Sequence, residues 1–403
     1  MKQKILFILL STTLLGWQFS CQKPVKTAEL PVIDISKKYP TKEIHLQNVA
    51  DIEYIPLETT DNILLSGSCV LVYFSDNYII IRDVRQNCVF VFNRNGEIIT
   101  HLNRRGQGDK EYNNISGVVF DEKTEEIFIV DIFSTHRILV YSLTGEYRRT
   151  LKYPDDLRIL VCNFDDETLL VYDESGLLQQ DADSYREKPY LLLSKKDGSI
   201  VADLDIHLPV RYSRRMYFNY TDASGQQMTN SITISMNNNK YYGQDFVIAD
   251  IFSDTIYKLT KTRELTPLIV RMPSVHTSDP RTVWASELTT DRFILFSTLT
   301  MDFNVAGQNI NQGFSSIPST DFIYEFETGE TNEVLFVNDD FSSGSTWKLN
   351  ESEIPQKNVA ASVIQLPALI EALKEKKLKG ELEKLVDSLD EDDNPIVMIV
   401  KFK

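Results

Sequence analysis

The chain has 403 residues, 42% hydrophobic and 25% charged, which gives enough apolar material for a large core and argues against bulk disorder. A formal net charge of -16 excludes a function resting on a broad Lys/Arg footprint, as nucleic-acid binding requires.

The opening stretch, MKQKILFILLSTTLLGWQFSC, joins Lys2 and Lys4 to an apolar run from Ile5 to Leu15, with the small Ser20 directly before Cys21. That is the layout of an export signal. A membrane-spanning helix needs an uninterrupted run of about 20 apolar residues. Ser11, Thr12, Thr13 and Gln18 break this one, and no later segment qualifies. A cysteine in this place resembles a bacterial lipoprotein signal, in which the Cys is lipidated and becomes the new N-terminus. Gln18 departs from the usual pattern, while Phe19-Ser20-Cys21 fits the tolerant form of Bacteroides-type bacteria. The expected organisation is a signal peptide over 1–20, a lipidated tether over 21–42 with Cys21 as the lipidation site, and one domain over 43–403.

Three cysteines remain. Cys69 and Cys88 begin two strands with a third between them, so they stand two strand spacings apart, roughly 9 to 10 Å. A disulfide needs Cα atoms closer than about 7 Å. Together with Cys162 they read as small buried hydrophobes, and no CxxC or Cys/His spacing points to zinc.

From residue 44 to about 350 the chain is a succession of short runs rich in Val, Ile, Phe and Tyr, separated by turn residues. CVLVYF (69–74), YIIIRD (78–83), CVFVFN (88–93), EIITHL (97–102), GVVFDE (117–122), EIFIVD (126–131) and RILVYS (137–142) are examples. Their length and composition predict strands, and the lack of strand-helix alternation argues against a parallel α/β sheet. VFVFNRNGEIITHL (89–102) and ILVYSLTGEYRRTL (138–151) repeat a strand, a polar turn, Gly-Glu and a strand, with Gly96 and Gly145 49 residues apart. Echoes follow over 191–204, 245–272 and 322–337, the middle one lacking the glycine. A period near 50 residues built from four-strand meanders predicts an all-β, six-bladed β-propeller of four-stranded antiparallel blades. Over 366–393, Leu366, Leu369, Ile370 and Leu373, then Leu378, Leu382, Leu385 and Leu389, recur at helical spacing, with Gly380 marking an offset between two pieces. NPIVMIVKFK (394–403) is a last strand, placed to pair with EIHLQNVADIEYIPL (43–57) and close the ring.

The NRNGE hairpin with GQGDKEY, the DIEYIPLETT strand, FSDTIYKLT (252–260) and the closing strand together resemble the six-bladed β-propeller lipoproteins of Bacteroides-type bacteria, related to NHL-repeat propellers. In that family the loop reads close to G-x-G-P-G-E-Y; here Asp109 and Lys110 replace Pro-Gly. The resemblance implies a fold and an envelope location, and supplies no catalytic residue.

RRGQGDKEY (104–112) raises a sharper question, since Gly106 and Gly108 could expose amides to a phosphate beside Arg104, Arg105 and Lys110. Neither a P-loop nor a dinucleotide pattern is present, and a strand follows, so the two glycines read as repeat turns like Gly96 and Gly145. The histidines His45, His101, His136, His207 and His276 show no metal or catalytic spacing, there is no G-x-S-x-G elbow, and no metal or cofactor is expected. VRYSRRMYFNYTDASGQQMTNS (210–231) concentrates arginine and tyrosine in an acidic chain. Arg211, Tyr212, Arg214, Arg215, Tyr217 and Tyr220 are the candidate ligand- or partner-binding residues, because guanidiniums pair with carboxylate or phosphate and tyrosines stack. The alternative is an extended blade strand. A second long polar insertion lies over 297–320.

The expected function is that of a non-catalytic lipoprotein scaffold, monomeric and anchored by lipid at the outer membrane. Its periplasmic face is favoured, since no acidic run follows Cys21. The scaffold would bind an envelope protein or a glycan or peptide ligand, in nutrient uptake or sensing. The rival is a propeller hydrolase or lyase acting on carbohydrate or peptide, which would need charged or His side chains converging at the channel mouth.

Overall fold

The computed structural model describes residues 30–131, 136–175, 177, 186–221, 224–233, 239–301, 319–342, 346–347 and 354–403; within strands, 215–221, 230, 232–233, 239 and 346–347 are followed in backbone alone. Six antiparallel blades form a ring. Blade I contains Cys69–Phe74, Tyr78–Asp83, Cys88–Asn93 and Ile98–Leu102, and blade II Ile115–Asp121, Glu126–Asp131, Arg137–Ser142 and Tyr147–Lys152. Blade III contains Ile159–Asn163, Thr168–Asp173, Tyr190–Ser194 and Ile200–Asp203. Blade IV contains Asn239–Tyr242, Asp245–Ile248, Thr255–Leu259 and Leu265–Met272, and blade V Thr282–Thr289, Phe293–Thr300, Ser319–Glu325 and Thr331–Val337.

The sequence runs are explained by what covers them. A middle strand is packed on both faces by neighbouring blades, so Ile79, Ile80 and Ile81, or Val89, Phe90, Val91 and Phe92, are all fully buried although they point alternately to opposite faces. Their apolar clusters fall between successive blades. Val89, Val91, Phe120 and Leu139 join blades I and II; Val119, Phe128, Leu169 and Leu191 join II and III; Trp284, Phe296, Val247 and Ile256 join IV and V.

Blade VI closes the ring. Ile396–Phe402 pairs antiparallel with Val359–Ile364 on one side and with the N-terminal Ala50–Pro56 on the other, from Ile396 opposite Pro56 to Phe402 opposite Ala50. Among the described residues this blade has three strands, with the N-terminal one outermost. The expected pairing of the two chain ends is therefore the observed one.

Residues 30–42, placed by the sequence reading in a tether, lie against the propeller instead. Val32–Asp34 adds in parallel to the outer strand Leu265–Met272 of blade IV, and Thr41–His45 adds in parallel to Thr331–Val337 of blade V. An outer strand offers a row of unpaired N–H and C=O groups, and these two short segments cover it. Ile33 is buried beneath the first of them and Lys42 pairs with Glu325 on the second. From Leu30 onward the chain thus belongs to the propeller.

Gly96, Gly145 and Gly198 occupy the same place in blades I, II and III, the turn between third and fourth strands, each at positive φ (85°, 78° and 86°). Each turn rests on the end of the preceding blade's outer strand: Gly96 on Pro56, Gly145 on Leu102, Gly198 on Lys152. A Cβ at Gly96 would stand 2.1 Å from the Pro56 carbonyl oxygen. The repeat lacking a glycine meets the same backbone demand with Arg263, at φ 68°.

Among the described residues, the short α1 (Leu46–Val49) is followed by the helices α2 (Leu366–Lys374) and α3 (Gly380–Asp387), inserted before the closing strand as the leucine spacing predicts. Leu366, Leu369, Leu382 and Val386 bury against Ile396 and Leu378 beside Tyr54 and Phe341 of the propeller. Gly380, at φ 64°, opens the second helix.

Candidate ligand-facing surface

In a four-strand meander, the first–second and third–fourth turns fall at one end of the blade. The second–third connections and the links to the next blade fall at the other. The long connections of this chain are all of the latter kind: 174–189 in blade III, 204–238 between blades III and IV, 301–318 in blade V, 338–358 between blades V and VI, and 365–395 with its two helices in blade VI. One face is tight turns and the other is elaborated.

Between blades III and IV the chain leaves the sheets. Arg215–Thr221 pairs antiparallel with Gln227–Thr233, Arg215 opposite Thr233 and Tyr220 opposite Met228, as a two-stranded sheet belonging to no blade. Arg215, Tyr217 and Tyr220 therefore sit on an inserted hairpin, whose turn and returning strand are exposed over 224–229.

Arg211 and Arg214 are buried at its base. Arg211 is 5% exposed and lies over the Tyr172 ring, with Nη2 donating to the Asp173 carbonyl at 2.7 Å. Arg214 is 2% exposed, with Nη1 2.7 Å from Glu174 Oε1 and its backbone N–H donating to the Leu177 carbonyl. Burial raises the Glu174 pKa, a tendency that the Arg214 and Arg211 charges oppose. Nearby, the buried Tyr190 hydroxyl donates to Asp250. These arginines fasten the base of the insertion to the loop of blade III. Residue type alone does not tell an anchoring arginine from a ligand-facing one, because both are flanked by the same polar and aromatic residues.

Tyr212, between them, is half-buried and faces a different set. Its ring packs edge-on against Phe252, its hydroxyl is 3.2 Å from His276 Nδ1, and the Arg281 guanidinium lies over the ring at 3.4 Å. Stacking of this kind holds a guanidinium plane while leaving its edge open to an acceptor. Among the described residues Arg281 Nε is buried without an acceptor. His276 and Arg281 come from the blade IV–V connection PSVHTSDPR (273–281), whose sequence carries no spacing that marks them.

The glycine loop of 104–112 answers its question with its own carboxylate. Glu111 Oε2 accepts the Gly108 N–H at 2.9 Å and stands 1.9 Å from where a Gly106 Cβ would be. The amide concavity that could cradle an anion is occupied by a side chain of the same loop. Tyr112 is fully buried beneath it, its hydroxyl donating to the Leu102 carbonyl.

The histidines do not converge. His45 meets Asp339, His136 meets Asp155, His207 meets Glu187, and His101 stacks on Phe90 at 4.3 Å, where burial lowers its pKa. Among the described residues no group of three His, Cys, Asp or Glu could hold a metal ion, and no helix is long and apolar enough to cross a membrane. Cys88 and Cys162 are buried and Cys69 is half-buried, and none of the three is in a disulfide. Cys21 lies outside the described residues.

Residues 30–401, the span that the ring closure marks as one structural unit, match the family model described as a domain of unknown function, DUF4934. The chain belongs to that family. A solved putative exported protein from Bacteroides fragilis is similar to this DUF4934 chain at 15% identity and a TM-score of 0.59, over 90% of this chain and 99% of that one. A duf4221 family member from Bacteroides vulgatus aligns at 8% identity and TM-score 0.46, over 89% and 99%. A virginiamycin B lyase from Staphylococcus aureus aligns at 8% identity and TM-score 0.37, over 87% and 99%. The first of these likenesses shows the fold. No curated protein matches the chain.

Proposed function

We propose that this protein is a non-catalytic scaffold of the cell envelope, held to the outer membrane by lipid on Cys21, whose elaborated face docks an envelope protein. The observation that carries the reading is the hairpin Arg215–Thr221/Gln227–Thr233, which stands outside every blade on a base fastened by buried Arg211 and Arg214. Rigid scaffolds commonly place recognition in such loops. Export agrees with the leader sequence and with the description of the Bacteroides fragilis relative as exported. The Tyr212–His276–Arg281 shelf supplies aromatic and cationic groups of the type enriched at protein interfaces.

The reading is tested by placing a photo-cross-linking residue at Met228 on the hairpin or, as a control, at Asn95 in a tight turn on the opposite face. The expected outcome in native envelopes is one discrete adduct from Met228 and none from Asn95. Equal adducts from both positions, or none from Met228, would remove the docking assignment.

A further inference from the structure

A second feature of the elaborated face lies away from the hairpin. The turn of blade I that carries Val84, Arg85 and Asn87 and the blade I–II connection that carries Arg105, Gly106, Gln107, Asn113 and Asn114 enclose an open depression of about 760 Å³. That volume is within the range of small-ligand sites, roughly 300–1,000 Å³.

Its walls are fixed by contacts from beneath and between them. Tyr112 pins the connection from below, and its N–H donates to the Arg104 carbonyl. Arg137 reaches the Glu111 carbonyl at 2.6 Å, and the Tyr141 hydroxyl donates to the Lys110 carbonyl at 2.8 Å. Asn87, buried between the two walls, donates to the Asn113 carbonyl and accepts the Ile115 N–H, binding the turn to the connection.

Three carboxylates bonded to the elements that form the depression are already used. Asp83 accepts from Ser66 and Gln86, Asp131 accepts the Asn113 and Asn114 N–H groups and pairs with Arg137, and Glu111 accepts the Gly108 N–H. Among the described residues, neither Arg85 nor Arg105 has a carboxylate within ion-pair distance, although the chain carries a net charge of -16. The depression therefore presents two uncommitted guanidiniums, the side-chain amides of Gln107 and Asn114, and the exposed apolar surface of Val84.

We infer that this depression binds an acidic saccharide, with the carboxylate of a uronate-type sugar held by Arg85 and Arg105. Planar guanidinium forks match a carboxylate, side-chain amides match ring hydroxyls, and Val84 offers the apolar contact that the C–H face of a sugar ring takes. A neutral sugar leaves both charges unanswered. A bare oxyanion leaves the amides and Val84 unused.

The test is titration of the full mature chain with digalacturonate, with the neutral disaccharide of the same linkage, and with inorganic sulfate, followed by calorimetry and amide NMR. Digalacturonate is expected to bind, with shifts confined to residues 84–87 and 105–114, and more tightly than either comparator. R85Q or R105Q alone should weaken it roughly tenfold, and the double variant should abolish it, with thermal midpoint unchanged because both side chains are exposed. No binding of digalacturonate, equal binding of the neutral disaccharide, equal binding of sulfate, or unchanged affinity in the double variant would each overturn the assignment. A Q107A/N114A variant separates the sugar from its charge, and should weaken digalacturonate while leaving sulfate unaffected. The cross-linking outcome at Met228 is independent of all these results.

Discussion

Lys195 Nζ lies 2.6 Å from Asp121 Oδ2, and the two side chains are only 6% and 5% exposed. Asp121 ends the first strand of blade II and Lys195 follows the third strand of blade III, so one buried ion pair joins adjacent blades. The ammonium also donates to the Asp165 carbonyl.

Removing one partner leaves the other charged and buried. Lys195→Met is expected to destabilise the protein by about 3–5 kcal/mol, while Lys195→Met combined with Asp121→Leu should recover most of that loss. Urea unfolding of the two single variants and the double variant measures the coupling. Near-additive losses would mean that the pair does not act as a unit.

The glycines at positive φ divide into those limited by backbone alone and those limited by a neighbour as well. Gly198 and Gly225 have nearly the same φ, 86° and 85°, but a Cβ at Gly198 would stand 2.6 Å from the Lys152 carbonyl oxygen, whereas one at Gly225 meets nothing within 4 Å. Gly225→Ala should cost about 1–2 kcal/mol, the left-handed backbone penalty. Gly198→Ala should cost clearly more, about 3 kcal/mol or above, because blade II must move away. Thermal unfolding of the two variants makes the comparison, and equal losses would remove the inter-blade contact as the cause.

His45 ends the N-terminal strand that covers blade V and meets Asp339 at 2.6 Å. The hydrogen bond to Asp339 raises its pKa against the opposing effect of desolvation, and the charges of Asp339 and Glu43 add to the rise. A histidine whose folded-state pKa is raised contributes its stabilisation fully below the unfolded value of about 6.5, and loses it as pH rises through the folded value. Amide exchange of Thr41–His45, corrected for intrinsic rates, should show more protection near pH 5.5 than near pH 8.5, and His45→Asn should erase the difference. Protection that is constant with pH, or that rises with it, would show that the pair does not hold this strand.

The sequence by itself determined the blades. Middle strands covered on both faces must be continuously apolar, so YIIIRD and CVFVFN could hardly be anything else, and the turns that rest on the preceding blade needed the glycines that made the repeat visible. The two ends of the chain announced their pairing for a similar reason, since an open ring would leave sheet edges bare.

Only tertiary structure decided what became of the polar residues. Arg211 and Arg214 share their local sequence with the half-buried Tyr212, yet they turn inward because Tyr172, the Asp173 carbonyl and Glu174 lie beneath them on blade III, contributed from some 40 residues earlier in the chain. Segment 30–42 likewise looks like free linker until the outer edges of blades IV and V are in place to receive it. The depression beside Arg85 and Arg105 brings together a turn and a connection that no local pattern joins. Apolar periodicity is a property of one strand and can be read from it, whereas the partner of a charge is chosen by whichever distant segment the fold sets beside it.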